Sequence, residues 1–178
     1  IMHTNDTHGY DQRAEGINGI ATIKALKDDF IKKGYQVLLV DAGDAIQDNN
    51  LVNMSKGASA IKFFNAAGYD AQTLGNHEFD YGQEELSKRI KEAKYNIVSA
   101  NIIVNATGKN YVKPSTIIQK GDVKIGVLGL STPETTVSTS PNNVRGLTFL
   151  DHEELFKCAQ KQVDELKAAL RKAVCDNK

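Results

Sequence analysis

Val37-Leu38-Leu39-Val40 is an unbroken apolar run that stops at once in Asp41-Ala42-Gly43-Asp44. A strand with one wet face alternates apolar and polar residues. A run without alternation belongs in a covered sheet, the usual setting of a parallel strand among helices. Its surroundings agree. Ile1 to Asn5 reads as a short strand, and Ile17 to Lys33 as a helix stopping at Gly34, with apolar positions at Ile20, Ile23, Leu26 (or the stem of Lys27) and Phe30. Gly57 to Ala67 is a second helix with Ala60, Ile61 and Phe64 inward and Gly68 at its C-cap. A strand at Ala71 to Leu74, a helix at Gln83 to Lys94 and a strand at Asn96 to Ala100 follow. Ser115 to Gln119 and Val123 to Leu130 then flank Lys120-Gly121-Asp122 as a hairpin, and Ser131 to Asn143 is a polar connecting loop. Asp151, with Glu154 three places on, opens a last helix whose apolar stripe is Leu155, Ala159, Val163, Leu166, Leu170 and Val174. The expectation is an α/β fold: a largely parallel sheet, flanking helices, one hairpin and no internal domain boundary.

Composition removes several function classes. The 178 residues carry 22 Lys+Arg against 22 Asp+Glu, a formal charge of zero. A nucleic-acid polymer is therefore not the expected partner, since its binders present a basic face. No run of about 18 apolar residues exists to make a membrane span. Cys158 and Cys175 fall in one helical pattern, roughly 25 Å apart if it is continuous, so both read as free thiols.

Three polar clusters share one placement, the carboxyl end of a strand running into a loop: Asp6-Thr7-His8, Gly43-Asp44, and Asn76-His77 followed by Asp80. Ligands of open α/β sheets gather at that edge. Asp6 and His8 are two residues apart and on extended backbone would face the same side. Together they offer a carboxylate and an imidazole to one ion; Asp44 offers a bridging carboxylate and Asn76 a neutral oxygen. Mixed His, Asp and Asn donors suit Mn, Fe or Zn, and the lack of cysteine in the set excludes a zinc finger. Two such ions would clamp a phosphoryl group and activate water. His77 would stand beside them to stabilise charge or protonate a leaving oxygen, with Asp80 holding its other nitrogen. Singly, each residue has an ordinary reading: Asp6 and Asp44 as turn residues, His8 as a loop histidine, Asn76 as part of a Gly-Asn turn. Their joint recurrence at three consecutive strand ends favours chemistry. His3 reads as a core position and His152 as surface. Gly-x-Ser-x-Gly and Gly-x-Gly-x-x-Gly patterns are absent.

The stretches Ile1 to Gly9, Val40-Asp41-Ala42-Gly43-Asp44 and Gly75-Asn76-His77-Glu78-Phe79-Asp80-Tyr81-Gly82 resemble the calcineurin-like metallophosphoesterases. The closer resemblance is to the 5'-nucleotidase, UDP-sugar hydrolase and 2',3'-cyclic phosphodiesterase branch. Ser99-Ala100-Asn101-Ile102, Lys124 to Leu130 and Thr132-Pro133-Glu134 fit it too. By matching position, the resemblance implies that Asp6 and His8 bind a first divalent metal ion, Asp44 bridges, Asn76 binds the second, and His77 and Asp80 form the catalytic pair. It implies a nucleotide substrate and an extracellular, cell-surface or periplasmic location.

The family's catalytic domain continues into strands bearing further ligand histidines, and a separate C-terminal domain binds the nucleoside. Residues 1–178 therefore read as the N-terminal half of an α/β/β/α sandwich, with an incomplete site and little activity of its own. An uncovered inner sheet face would leave an apolar patch, so the chain is expected to self-associate or be otherwise covered across it. Two competing functions are a non-catalytic assembly fragment and a related hydrolase of dinucleotide, nucleotide-sugar or sulfur-linked substrates.

Overall fold

The computed structural model describes residues 1–10 and 19–175, with side chains through 172; Ile17, in the expected first helix, lies outside the described residues. The chain runs through β1 (Met2–Thr4), α1 (Gly19–Lys32), β2 (Leu39–Asp41), α2 (Asn50–Met54), α3 (Ala58–Ala67) and β3 (Ala71–Thr73). A 3-10 turn (His77–Phe79), α4 (Gly82–Glu92) and β4 (Asn96–Val98) come next. The four strands pair in parallel in the order β1-β2-β3-β4, in the register His3↔Val40, Val40↔Ala71 and Ala71↔Asn96.

A sheet in which each crossover steps to the next strand in one direction carries its helices on one face, because such crossovers are right-handed. The core is built accordingly. Leu39 and Ile97 of the sheet share one buried cluster with Ile20 of α1, Ile61 and Phe64 of α3, and Leu86 of α4. The inward residue of α1 is Lys27 rather than Leu26: Lys27 is buried, Leu26 is half exposed, and Ile20, Ile23, Lys27 and Phe30 follow the 3-4-3 spacing of one helix face. The Lys27 ammonium donates to the carbonyl of Gly68, the αL residue that closes α3. A cation is well placed at that negative helix end.

Beyond β4 lie β5 (Ile102–Val104), β6 (Lys109–Asn110), β7 (Ser115–Lys120), β8 (Val123–Leu128), α5 (Thr135–Ser138), β9 (Leu147–Phe149) and α6 (His152–Cys175). Strands β7 and β8 form the expected hairpin around Gly121 (φ 57°) and Asp122. The stripe Leu155, Ala159, Val163, Leu166 and Leu170 is half buried, and Leu166 lies over Gly126 of β8. Strands β6, β5 and β9 make a small antiparallel sheet that the sequence did not suggest.

The face of the main sheet opposite the helices is only partly covered. His3, Val40, Thr73, Val127 and Leu130 line a groove of about 240 Å³ there. This corrects two expectations. His3 is exposed, not core, because it alternates with Met2 and Thr4 onto the open face. Val40 is half buried although its apolar run suggested cover on both faces. Cys158 is a free thiol; the side chain of Cys175 lies outside those described. Among the described residues, no helix is long and apolar enough to cross a membrane.

Candidate metal centre

The strand pairing does not stop where the strands do. Ala42 N–H donates to Thr4 O at 2.9 Å, Asp6 N–H to Gly43 O at 3.0 Å, His8 N–H to Asp44 O at 2.9 Å and Gly9 N–H to Ala45 O at 3.1 Å. The loops after β1 and β2 are thereby zipped together. Within this zipper Asp6, His8 and Asp44 take left-handed backbone angles (φ 51°, 46° and 58°). Non-glycine residues seldom do so, and such positions concentrate at functional sites. The extended geometry expected for Asp6 and His8 is therefore wrong. The two side chains still meet, with His8 Nε2 3.8 Å from Asp6 Oδ1.

The loop after β3 is tied in by Glu78, which is 2% exposed. Its carboxylate accepts from Asp44 N–H at 2.9 Å, Ala45 N–H at 2.8 Å and Gly75 N–H at 2.6 Å. Burial pushes the Glu78 carboxyl up to about 7, although the N–H donors from Ala45 and Asp44 pull the other way. Gly43 and Gly75 allow the close approach of these loops: a Cβ on Gly43 would lie 2.5 Å from Gly75 N, and one on Gly75 would fall on the Asp44 carboxylate. On the helix side of the sheet, buried Asp41 accepts from Thr4 Oγ1 at 2.6 Å, Gly43 N–H at 2.9 Å and Gln72 Nε2 at 3.1 Å.

These restraints bring His8, Asp44 and His77 together. Each offers one donor atom, and the three atoms lie within 4.8 Å of one another. The rings of His8 and His77 meet edge to face at 4.9 Å. Asp44 Oδ1 accepts from His77 N–H at 2.9 Å. His77 Nδ1 sits 2.6 Å from Asp80 Oδ2. Burial lowers the His77 pKa, but the hydrogen bond and charge of Asp80, with Asp44 and Asp48 beyond, outweigh it and hold the imidazole above its ordinary value.

The expected site residues are thus brought to one edge, with differences. Asp6 lies beside His8 and is half exposed. Asn76 opens the 3-10 turn directly before His77. Asp80 stands behind His77, as expected. His77, expected beside the ions, belongs to the gathered triad. The sequence reading missed Glu78 and Asp48. The Gly75-x-x-Glu78 spacing could have disclosed the first, since a carboxylate three residues on that accepts the earlier N–H is half of a capping box. Nothing in the sequence points to Asp48, whose Oδ2 lies 3.1 Å from His8 Nδ1. That nitrogen is buried and makes no well-directed hydrogen bond among the described residues. Two imidazoles and a carboxylate gathered in this way suit a divalent ion of borderline hardness.

The family described as calcineurin-like phosphoesterase matches residues 1–170. The chain belongs to this family. It is 38% identical over 172 residues to a 5'-nucleotidase of Vibrio cholerae serotype O1, covering 94% of this chain and 31% of that one. It is 37% identical over 177 residues to a snake venom 5'-nucleotidase of Gloydius brevicauda, covering 90% and 30%. Its fold matches a 5'-nucleotidase precursor from Thermus thermophilus with a TM-score of 0.80 and 32% identity, over 94% of this chain and 34% of that one. The chain spans about a third of the length of these relatives.

Proposed function

We propose that this chain carries the first part of the catalytic centre of a two-metal phosphoesterase that hydrolyses nucleotide phosphate esters, in the manner of 5'-nucleotidases. The observation carrying this reading is the convergence of His8, Asp44 and His77, from three consecutive strand-end loops, to within 4.8 Å. In this reading Asp6 and His8 hold a first divalent ion such as Zn or Mn, Asp44 bridges, and Asn76 serves the second. Bound ions would polarise the phosphoryl group and lower the pKa of a coordinated water. The chain's own contribution is His77. Asp80 engages Nδ1 and leaves Nε2 for chemistry, and its hydrogen bond and charge hold the ring above the ordinary histidine value, which favours the protonated imidazole. It can then neutralise phosphoryl charge or hand the proton to the leaving oxygen.

In this reading Asp6, His8, Asp44 and Asn76 are four residues shared between two ions, where one zinc ion alone takes about four donors, so these residues by themselves should bind Mn²⁺ more weakly than about 10 μM and turn over slowly. The snake venom relative supports an extracellular setting, and the half-covered sheet face supports self-association between two copies of the chain. The test is Mn²⁺ titration with p-nitrophenyl phosphate and AMP as substrates. Asp44→Asn should weaken Mn²⁺ binding about 10- to 100-fold, and His77→Ala should abolish metal-dependent turnover. Unaltered binding and turnover in both variants would reject the reading in favour of a non-catalytic module.

A further inference from the structure

The segment Ser131 to Asn143, which the sequence offers only as a polar connection, reaches the back of the candidate site. Its α5 turn is anchored by Thr135, which is fully buried with its hydroxyl on Thr132 O at 2.7 Å. Thr139 closes that turn, its N–H on Thr135 O at 3.3 Å, and leaves it in extended conformation (φ −126°, ψ 173°). From there Thr139 Oγ1 donates to Asp80 Oδ1 at 2.8 Å. The other carboxylate oxygen, Oδ2, holds His77 Nδ1 at 2.6 Å. Asn143 Nδ2 donates to the Asp80 carbonyl at 2.9 Å, and Gln83 Nε2 fastens the same segment through the carbonyls of Asn143 and Arg145, both at 3.1 Å.

We propose that Thr139 is a positioning residue for His77, acting through Asp80; this rests on the reading of His77 and Asp80 as the proton-handling pair. The χ2 torsion of an aspartate joins sp³ to sp² carbon and has a broad, shallow profile, so a carboxylate held by one oxygen can rock. A donor on the second oxygen fixes the carboxylate plane. The fixed plane in turn sets the ring orientation of His77 and keeps its proton on Nδ1, so that Nε2 is the nitrogen presented for chemistry. The hydroxyl is the working part of Thr139, and its methyl group is incidental. Thr139 is half exposed, so its replacement leaves the core intact.

The experiment is proton NMR of the whole chain at fixed pH, following the His77 Nδ1–H resonance, assigned by its disappearance in His77→Gln. Thr139→Val should speed exchange of that proton with water by about 5- to 10-fold, the worth of one hydrogen bond. Thr139→Ser should restore it to within about twofold. In the phosphoesterase assay Thr139→Val should lower kcat about 10-fold with KM unchanged, and Thr139→Ser should recover it. Unchanged Nδ1–H exchange in Thr139→Val overturns the positioning role, whatever the activity. The expected exchange pattern with kcat left unchanged in both Thr139→Val and His77→Gln upholds the positioning role and overturns only the catalytic reading on which it was placed.

Discussion

Glu78 brings its carboxylate to the point where three backbone N–H groups from two loops converge, in a place water does not reach. Glutamine there keeps one oxygen but turns an amide N–H₂ toward a donor, leaving at least one N–H unsatisfied. Glu78→Gln should therefore lower stability by about 1–3 kcal/mol in thermal denaturation at pH 8. It should also weaken Mn²⁺ binding about 10-fold, since Asp44 hangs from the same clamp. Wild-type melting and affinity would contradict this. Asp41 supplies a prediction in pH. Burial lifts its carboxyl to about 6, against the hydrogen bonds from Thr4, Gly43 N–H and Gln72 that favour the charged form. The folded state thus holds this proton more tightly than the unfolded chain. The associated stability is full at acid pH and is lost as pH rises from the ordinary aspartate range through about 6. Asp41→Asn has no proton to lose and should flatten part of that decline in urea unfolding; Glu78, raised to about 7, keeps the remainder with the same sign. A decline as steep as in the unsubstituted chain would clear Asp41 of the effect. The residues gathered at the carboxyl edge of the sheet were legible because strand ends advertise them. Thr139 and Asp48 were not, because their meaning lies in partners 59 and 40 positions away, for which one sequence carries no local signal.

Elements with long periodic patterns were also legible. Helices α1, α3, α4 and α6, the parallel strands and the hairpin all follow from apolar spacing and turn residues. The elements missed are short. Helices α2 and α5 have five and four residues, and β5, β6 and β9 have three, two and three, too few for any periodicity to show. They exist because neighbours hold them; β9, for example, pairs Phe149 with Ile102 and Leu147 with Val104 of β5. How the hairpin docks on the sheet was equally unreadable, and it turns on glycines that look alike in sequence. A Cβ on Gly129 would fall on the carbonyl oxygen of Val98 and come within 2.8 Å of Thr73 Oγ1. Backbone cannot step aside without parting the hairpin from β4. A Cβ on Gly126 would meet only Leu166 side-chain atoms at 3.2–3.3 Å, and a leucine side chain can give way. Gly129→Ala should cost about 1–3 kcal/mol in thermal unfolding, and Gly126→Ala distinctly less. Equal losses would mean that the hairpin does not dock where β8 leaves the sheet.

At the scale of the molecule, the strand order β1-β2-β3-β4 has a consequence that no individual residue carries. Stepping always in one direction stacks α1, α3 and α4 on one side and leaves the hairpin and the residues that follow it on the other, among the described residues. The hairpin covers Val98, which is 1% exposed, but leaves a groove where Val40 and Thr73 face Val127 and Leu130. Apolar surface of this kind gains by leaving water, and a chain of zero net charge does not repel its copy. Sedimentation should therefore show association that grows with concentration into the high micromolar range. Val40→Glu would have to bury a carboxylate in the groove, and should weaken that association by at least about tenfold. The candidate metal triad lies at the carboxyl edge of the sheet rather than on its open face, so Mn²⁺ affinity should stay where it was in the same variant. A single sedimenting monomer throughout the concentration range would reject pairing across this face. Association that Val40→Glu leaves untouched would place the contact elsewhere on the molecule.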